Sequence, residues 1–290
     1  MSRTRNVVGA AALVAGCGLW GGVSASDAPD VPQGWQRSGK IGLFLDFKSA
    51  QNHEESRDTN INEGENSTNL TLAGDATFTW TQDRKQTEHR IELRYSQEKT
   101  GGDDWVEDDD LIEYRGVYRQ YWSQISFAYG SAGLDSIFSG PEPDEAFMNP
   151  TDVRAAAGVG QLRLWGEWKN SLEYRIGLHA QDIWGDEQYI DDWEDDPQLG
   201  VEGLIHYILA PNDKLNYYIR LEAFAPFDDG GNMQFLLTSG FSYKMLEYLS
   251  LDWYFRGYYE GHPEDAPDDA PGYDELSYRN SLLLGVTYTF

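Results

Sequence analysis

The sequence predicts an all-β fold, a transmembrane up-and-down antiparallel β-barrel of about 12 strands, and three observations carry that prediction. Runs of alternating apolar and polar residues repeat from about residue 39 to the C-terminus. The breaks between runs alternate long and short, and nearly all the negative charge lies in the long ones. A length of 290 residues suits one large β domain, and a mean hydropathy of -0.59 excludes a bundle of transmembrane helices, which needs several stretches of about 20 apolar residues. Half-polar strands stay compatible with a membrane, because only alternate residues of a barrel strand meet lipid.

At the N-terminus, Arg3 and Arg5 precede the apolar run VVGAAALVAG, and Val23, Ser24 and Ala25 offer a cleavage site before Ser26. Residues 1–25 are expected to be a signal peptide. Val14, Ala15, Gly16 and Cys17 also fit a lipoprotein box, in which Cys17 would be lipidated and become the mature N-terminus, although the apolar run continues past it through Leu19 and Trp20. On the first reading the mature chain has no cysteine, hence no disulfide, thiolate nucleophile or cysteine metal site. Residues 26–38, with Pro29 and Pro32, read as a flexible periplasmic lead-in, and residues 39–290 as the barrel.

Each strand is justified by its period of two. In RIELRYS, Ile91, Leu93 and Tyr95 share one face while Arg90, Glu92, Arg94 and Ser96 share the other. In SLEYRIGLHAQ, Leu172, Tyr174, Ile176 and Leu178 oppose Glu173, Arg175, Gly177 and His179. The pattern returns in LNYYIRLEA and LSLDWYFRG, and about twelve such runs of about 9 to 14 residues match the length that crosses a bilayer at a tilt.

The connections are sorted by length. Long breaks lie near residues 50–67, 100–110, 133–151, 185–197 and 261–275, with a shorter member at 228–232. Short ones lie at Gln82 to Gln86, Ser123 to Gln124, Lys169 to Asn170, Pro211 to Lys214 and Leu246 to Glu247. Successive connections of an up-and-down barrel emerge on opposite sides, so this alternation puts the long loops on one side and the tight turns on the other. The long breaks hold about 30 acidic residues and about one basic one, Arg57, so they account for essentially all of the net charge of -27. Trp80, Trp122 and Trp168 precede tight turns and Trp184 precedes a long loop, as interface-seeking indoles would.

If the apolar positions face lipid, their alternates line the lumen. That set comprises Asp46, Lys48, Asp75, Arg90, Glu92, Arg94, Glu113, Arg115, Arg119, Arg163, Glu167, Glu173, Arg175, Glu202, Arg220, Glu222, Asp252, Arg256 and Arg279. Acids and bases nearly balance, and charges shielded from bulk water are tolerable only when paired, so ion-pair networks spanning a narrow or side-chain-plugged lumen are expected. No arginine or lysine excess selects for anions. The acidic rim would instead give any narrow channel a weak cation preference.

Two chemistries compete with a non-enzymatic reading. A barrel hydrolase needs a serine activated by histidine on the outer surface. Of the five histidines, His179 and His206 are expected to face inward, His53 and His262 to sit in loops and His89 to lie near a tight turn, and Ser56 near His53 has no orienting partner. Metal binding would use the acidic runs, with Asp103, Asp104 and Asp108 in one and Asp191, Asp192 and Asp195 in another, as loose calcium or magnesium ligands. The plain alternative is a solvated loop, and Asp58, Asn60 and Asn62 fail the calcium-loop pattern because Gly64 comes one position late. The sequons at Asn66 and Asn69 read as chance, and neither a phosphate-binding glycine loop nor a basic patch for nucleic acid is present.

The stretch from GKIGLFLDF through GENSTNLTLAGDATFTW to HRIELRYSQEKTGGDD resembles the opening of the salt-induced outer-membrane protein family, and LEYLSLDWYFRGYYEG to LLLGVTYTF resembles its last hairpin. The likeness is one of strand rhythm and departs in the acidic loops and in the insertion around Pro141 to Pro150. It implies a bacterial outer-membrane barrel of unknown function with no catalytic residues to carry over. The expected partners are therefore membrane lipid, lipopolysaccharide and the barrel-assembly machinery, which would recognise the C-terminal strand ending at Phe290. The expected role is structural, in the envelope, with a narrow solute channel as the alternative.

Overall fold

The computed structural model describes residues 31–51, 68–99, 105–136, 151–184, 197–227, 232–262 and 273–290. They form twelve antiparallel strands in one closed barrel: β1 Gly34–Gln51, β2 Thr68–Gln82, β3 Lys85–Lys99, β4 Trp105–Tyr121, β5 Ser126–Ser136, β6 Thr151–Trp165, β7 Asn170–Trp184, β8 Gln198–Asn212, β9 Leu215–Pro226, β10 Gln234–Lys244, β11 Leu249–Glu260 and β12 Leu276–Thr289. Each strand pairs with its chain neighbours, and β1 closes on β12 from Lys40 opposite Thr289 to Gln51 opposite Tyr278. Gly39 and Phe290 exchange backbone hydrogen bonds of 3.1 and 3.0 Å, so no ladder edge is left at the seam.

The faces are inverted relative to a soluble protein. On β1, Ile41, Leu43, Leu45 and Phe47 are 47 to 51% exposed while Asp46 and Lys48 are 0 and 5% exposed. The same holds on β12, where Leu282, Leu284 and Val286 face out and Arg279 and Ser281 are buried. A continuous apolar outer belt of this kind is stable only against another apolar phase, at about 25 cal/mol per Å² removed from water. Trp35, Trp122, Trp165 and Trp168 rim the tight-turn end of the belt and Trp184 rims the other, all exposed.

Asp83 takes a left-handed conformation in the β2–β3 turn, which an aspartate tolerates. Lys169 Nζ donates to Asp213 Oδ1 at 2.6 Å and ties two turns together. That bond holds the lysine ammonium above its ordinary pKa and the aspartate below, but in full solvent it contributes little to stability.

Five expectations change. Residues 34–38 are strand rather than lead-in, because the hairpin continues down to Gly34 opposite Thr81 and stops only near Pro32, which has no N–H to give a ladder. The second long break is shorter, since β4 begins at Trp105, and so is the third, since β5 runs to Ser136. Arg163 faces out and is exposed, whereas its neighbours Leu162 and Leu164 turn inward onto an apolar cluster at the tight-turn end. Glu167 lies in the β6–β7 turn with φ 56°, exposed and outside the lumen.

Candidate functional site

Strand pleat and closure aim the polar alternates into one shared interior. Arg90, Glu92, Arg94, Glu113, Arg115, Glu173, Arg175, Glu202, Arg220, Glu222, Asp252 and Arg256 all take inward positions on β3, β4, β7, β8, β9 and β11. The inward set also includes residues that the sequence pattern did not single out: Lys40, Glu88, Asp135, Asp152 and Arg154.

The interior is built in tiers. At the tight-turn end, Val31, Val117, Tyr121, Phe127, Tyr129 and Ala156 form a buried apolar cluster backed by Leu162 and Leu164. Tyr121 and Phe127 meet edge to face at 5.4 Å. Val31 enters this cluster from ahead of β1, and Gln33 Oε1 accepts from the Asp83 N–H at 3.0 Å, fastening the chain at the mouth.

Above it lies a clamp centred on Arg119, whose side chain is 2% exposed. Its Nε and Nη2 donate to the two oxygens of Glu173 at 3.1 and 3.0 Å, a bidentate pair joining β4 to β7. Nη1 donates to Gln86 and to Glu88 at 3.0 Å, and the guanidinium lies 5.7 Å from the Phe127 ring. All three nitrogens donate, through four of the five N–H groups, as a cation shielded from water requires.

A longer crossing follows. Arg115 Nη1 reaches both oxygens of Glu222 at 3.0 and 2.9 Å, while its Nε donates to Glu113 on its own strand. Arg220 holds the same Glu222 from β9 at 2.7 and 3.1 Å. In a ring of twelve strands, β4 and β9 stand five positions apart, so this link runs nearly across the diameter.

Other links cut shorter chords. Tyr129 OH donates to Glu202 at 2.5 Å, and His179 Nδ1 lies 2.7 Å from the other oxygen. Lys40 meets Asp252 at 2.5 Å, Arg94 lies 4.8 Å from the Tyr254 ring, and Arg154 joins Asp135 at 3.0 Å and also bonds Asp152. Toward the long-loop end the charges give way to amides, with Gln181, Gln198 and Gln234 leading to Glu260. Arg256 and Arg279 sit opposite each other on β11 and β12, both buried.

Gly177 makes room for one of these chords, since a Cβ there would lie 2.5 Å from the Tyr129 hydroxyl and 2.5 Å from the Ala157 carbonyl oxygen. Gly177→Val is expected to displace Tyr129 from Glu202 and cost about 1–3 kcal/mol, read as a lower urea midpoint in detergent. An unchanged midpoint would show that the tyrosine has another place to go.

Of the suggested metal ligands, Asp103, Asp104, Asp191, Asp192 and Asp195 lie outside the described residues, as do His53 and Ser56, and Asp108 lies within β4. Among the described residues no group of three histidines or acids could hold a metal ion. His89 faces out and its Nδ1 lies 2.8 Å from the Tyr114 hydroxyl, so its partner is a phenol rather than a serine.

Fold and interior together define a membrane β-barrel with a charge-bridged lumen. The chain belongs to the family described as protein of unknown function, DUF481, whose model matches residues 59–271. No curated protein matches the sequence. Among solved structures it is similar to the COG4313 outer membrane channel from Pseudomonas putida F1, at 14% identity and a TM-score of 0.41, over 92% of this chain and 100% of that one. It is also similar to outer membrane phospholipase A from Escherichia coli, at 10% identity and a TM-score of 0.39, over 86% and 89% of the two chains. A third is the anion-selective porin from Comamonas acidovorans, at 9% identity and a TM-score of 0.35, over 88% and 99%.

Proposed function

We propose that the chain is a non-enzymatic barrel of the bacterial outer membrane with a structural role in the envelope, its lumen bridged shut at rest. The observation that carries this reading is the Arg115 to Glu222 link between β4 and β9, which divides the interior instead of lining it. The Arg119 clamp and the apolar cluster around Val31 support it at a second depth. A water-filled porin has no need to spend its charges in this way. The expected signal peptide, the exposed apolar belt, its tryptophan rims and the resemblance to the salt-induced outer-membrane family support the location. Against catalysis, none of His89, His179 and His206 is hydrogen-bonded to a serine.

The test is reconstitution of the full folded chain in planar bilayers. It is expected to pass no steady current at neutral pH, whereas discrete, sustained channel openings would overturn the closed reading. Space left between the bridges favours one alternative, a narrow solute channel, and the acidic loops would then give it a weak cation preference. Recovery in the soluble periplasmic fraction, without a heat-dependent gel shift, would remove both.

A further inference from the structure

A cavity of about 80 Å³ lies inside the barrel, lined by residues of β3 to β9. Five arginines and five carboxylates line it, so its wall is balanced in formal charge. It is not balanced in hydrogen bonding. Glu173, Glu202 and Glu222 each already accept from two or more donors. The donors, in contrast, are left with capacity.

Arg175 is the clearest case. Its side chain is 6% exposed and lines the cavity, yet it makes only a 3.2 Å ion pair from Nε to Glu173 and a contact with the Tyr129 ring. Among the described residues its two terminal nitrogens have no acceptor. Nη1 of Arg220 has none either, and the His206 ring makes no side-chain hydrogen bond. Register brings these groups together: Glu173 pairs with His206 and His206 with Arg220, while Arg175 sits two residues along β7 on the same face. Directly paired residues on one face have Cβ atoms about 5 Å apart. Two guanidiniums and an imidazole thus stand around one stretch of cavity wall with donor capacity left for an acceptor, and Arg175 Nε is itself buried without a hydrogen bond.

We propose that this patch on β7, β8 and β9 is a binding site for a small carboxylate, held by the terminal nitrogens of Arg175 with Arg220 and His206 beside it. The inference rests on the inward placement of these residues but not on whether the lumen conducts. A carboxylate of low net charge suits the site best, because the acidic long loops discourage polyanions.

Calorimetric titration of the folded full chain in detergent with sodium propionate and with glycine, against choline chloride and sodium phosphate, tests this. Saturable binding of propionate or glycine is expected, with none for choline. Arg175→Met should weaken it about tenfold or more, as the loss of a charge-assisted bidentate contact does, while Arg163→Met on the outer face leaves it unchanged. Should Arg175→Met fail to fold, His206→Phe serves as the second variant, with binding again expected to weaken. No saturable binding of propionate or glycine by the native chain, binding equally strong in folded Arg175→Met, or preferential uptake of choline would overturn the site. Tighter binding of phosphate than of either carboxylate would overturn the ligand class. Bilayer current from the same preparation separates the two proposals: binding with steady current sinks closure alone, and silence without binding sinks the site alone.

Discussion

Arg119→Met is expected to destabilise the barrel by about 3–5 kcal/mol, the cost of removing one partner from a buried ion pair. Methionine fills much of the arginine volume, so the loss comes from electrostatics more than from a cavity. Glu173, 6% exposed, would lose both oxygens' donors and keep only the ion pair to Arg175 Nε, while Glu88 would lose its hydrogen-bonded cation and Gln86 its guanidinium donor. Glu173 is shut off from water, whereas Glu88, with its side chain 34% exposed, is already partly hydrated, so most of the loss falls on Glu173. The measurement is the urea midpoint of the gel shift that separates folded from unfolded chain. Adding Glu173→Gln to Arg119→Met should restore part of the loss, because an amide costs less to bury unpaired than a carboxylate. A loss below about 1 kcal/mol in the single variant would mean that water already solvates this clamp.

The same clamp shows how far the sequence could be read. Wherever lipid-facing residues are large and lumen residues are charged, one strand suffices: Ile91 and Leu93 against Arg90, Glu92 and Arg94 fix which way β3 faces. The same logic points Arg119 inward. Its partners were not legible, because Glu173 is 54 residues away and pairing across a lumen depends on closure and shear, which no local pattern records. Arg154 escapes the pattern because Val153, Ala155 and Ala157 beside it are small, so β6 shows little contrast between faces. Arg163 reads as inward in sequence but faces out, for a related reason. The rule that apolar means outward fails where the lumen has an apolar core of its own, and Leu162 and Leu164 belong to that core. Lys40 and Glu88 share the parity of recognised neighbours, Asp46 and Arg90, so a strict count along β1 and β3 would have found them.

Arg115→Ser is expected to turn a silent barrel into a conducting one. Arg119 to Glu173 and Tyr129 to Glu202 each join strands three positions apart, so they cut off one side of the ring and leave the rest of the cross-section alone. Arg115 to Glu222 spans five positions and splits what remains. Serine at 115 ends the link yet leaves Glu222 paired with Arg220 on its own strand, so only Glu113 loses its nearest cation and the fold is expected to survive a cost of about 2–4 kcal/mol. With the chord removed, the two half-lumens merge into one hydrated path, and steady current should rise at least about tenfold above the leak of the native chain. Arg154→Ser supplies the control, since Arg154 bonds Asp135 and Asp152 on β5 and β6, which are adjacent, and its loss opens nothing across the ring. A folded Arg115→Ser barrel that stays silent would show that the apolar cluster around Val31 and Tyr121, rather than the diametric ion pair, closes the lumen.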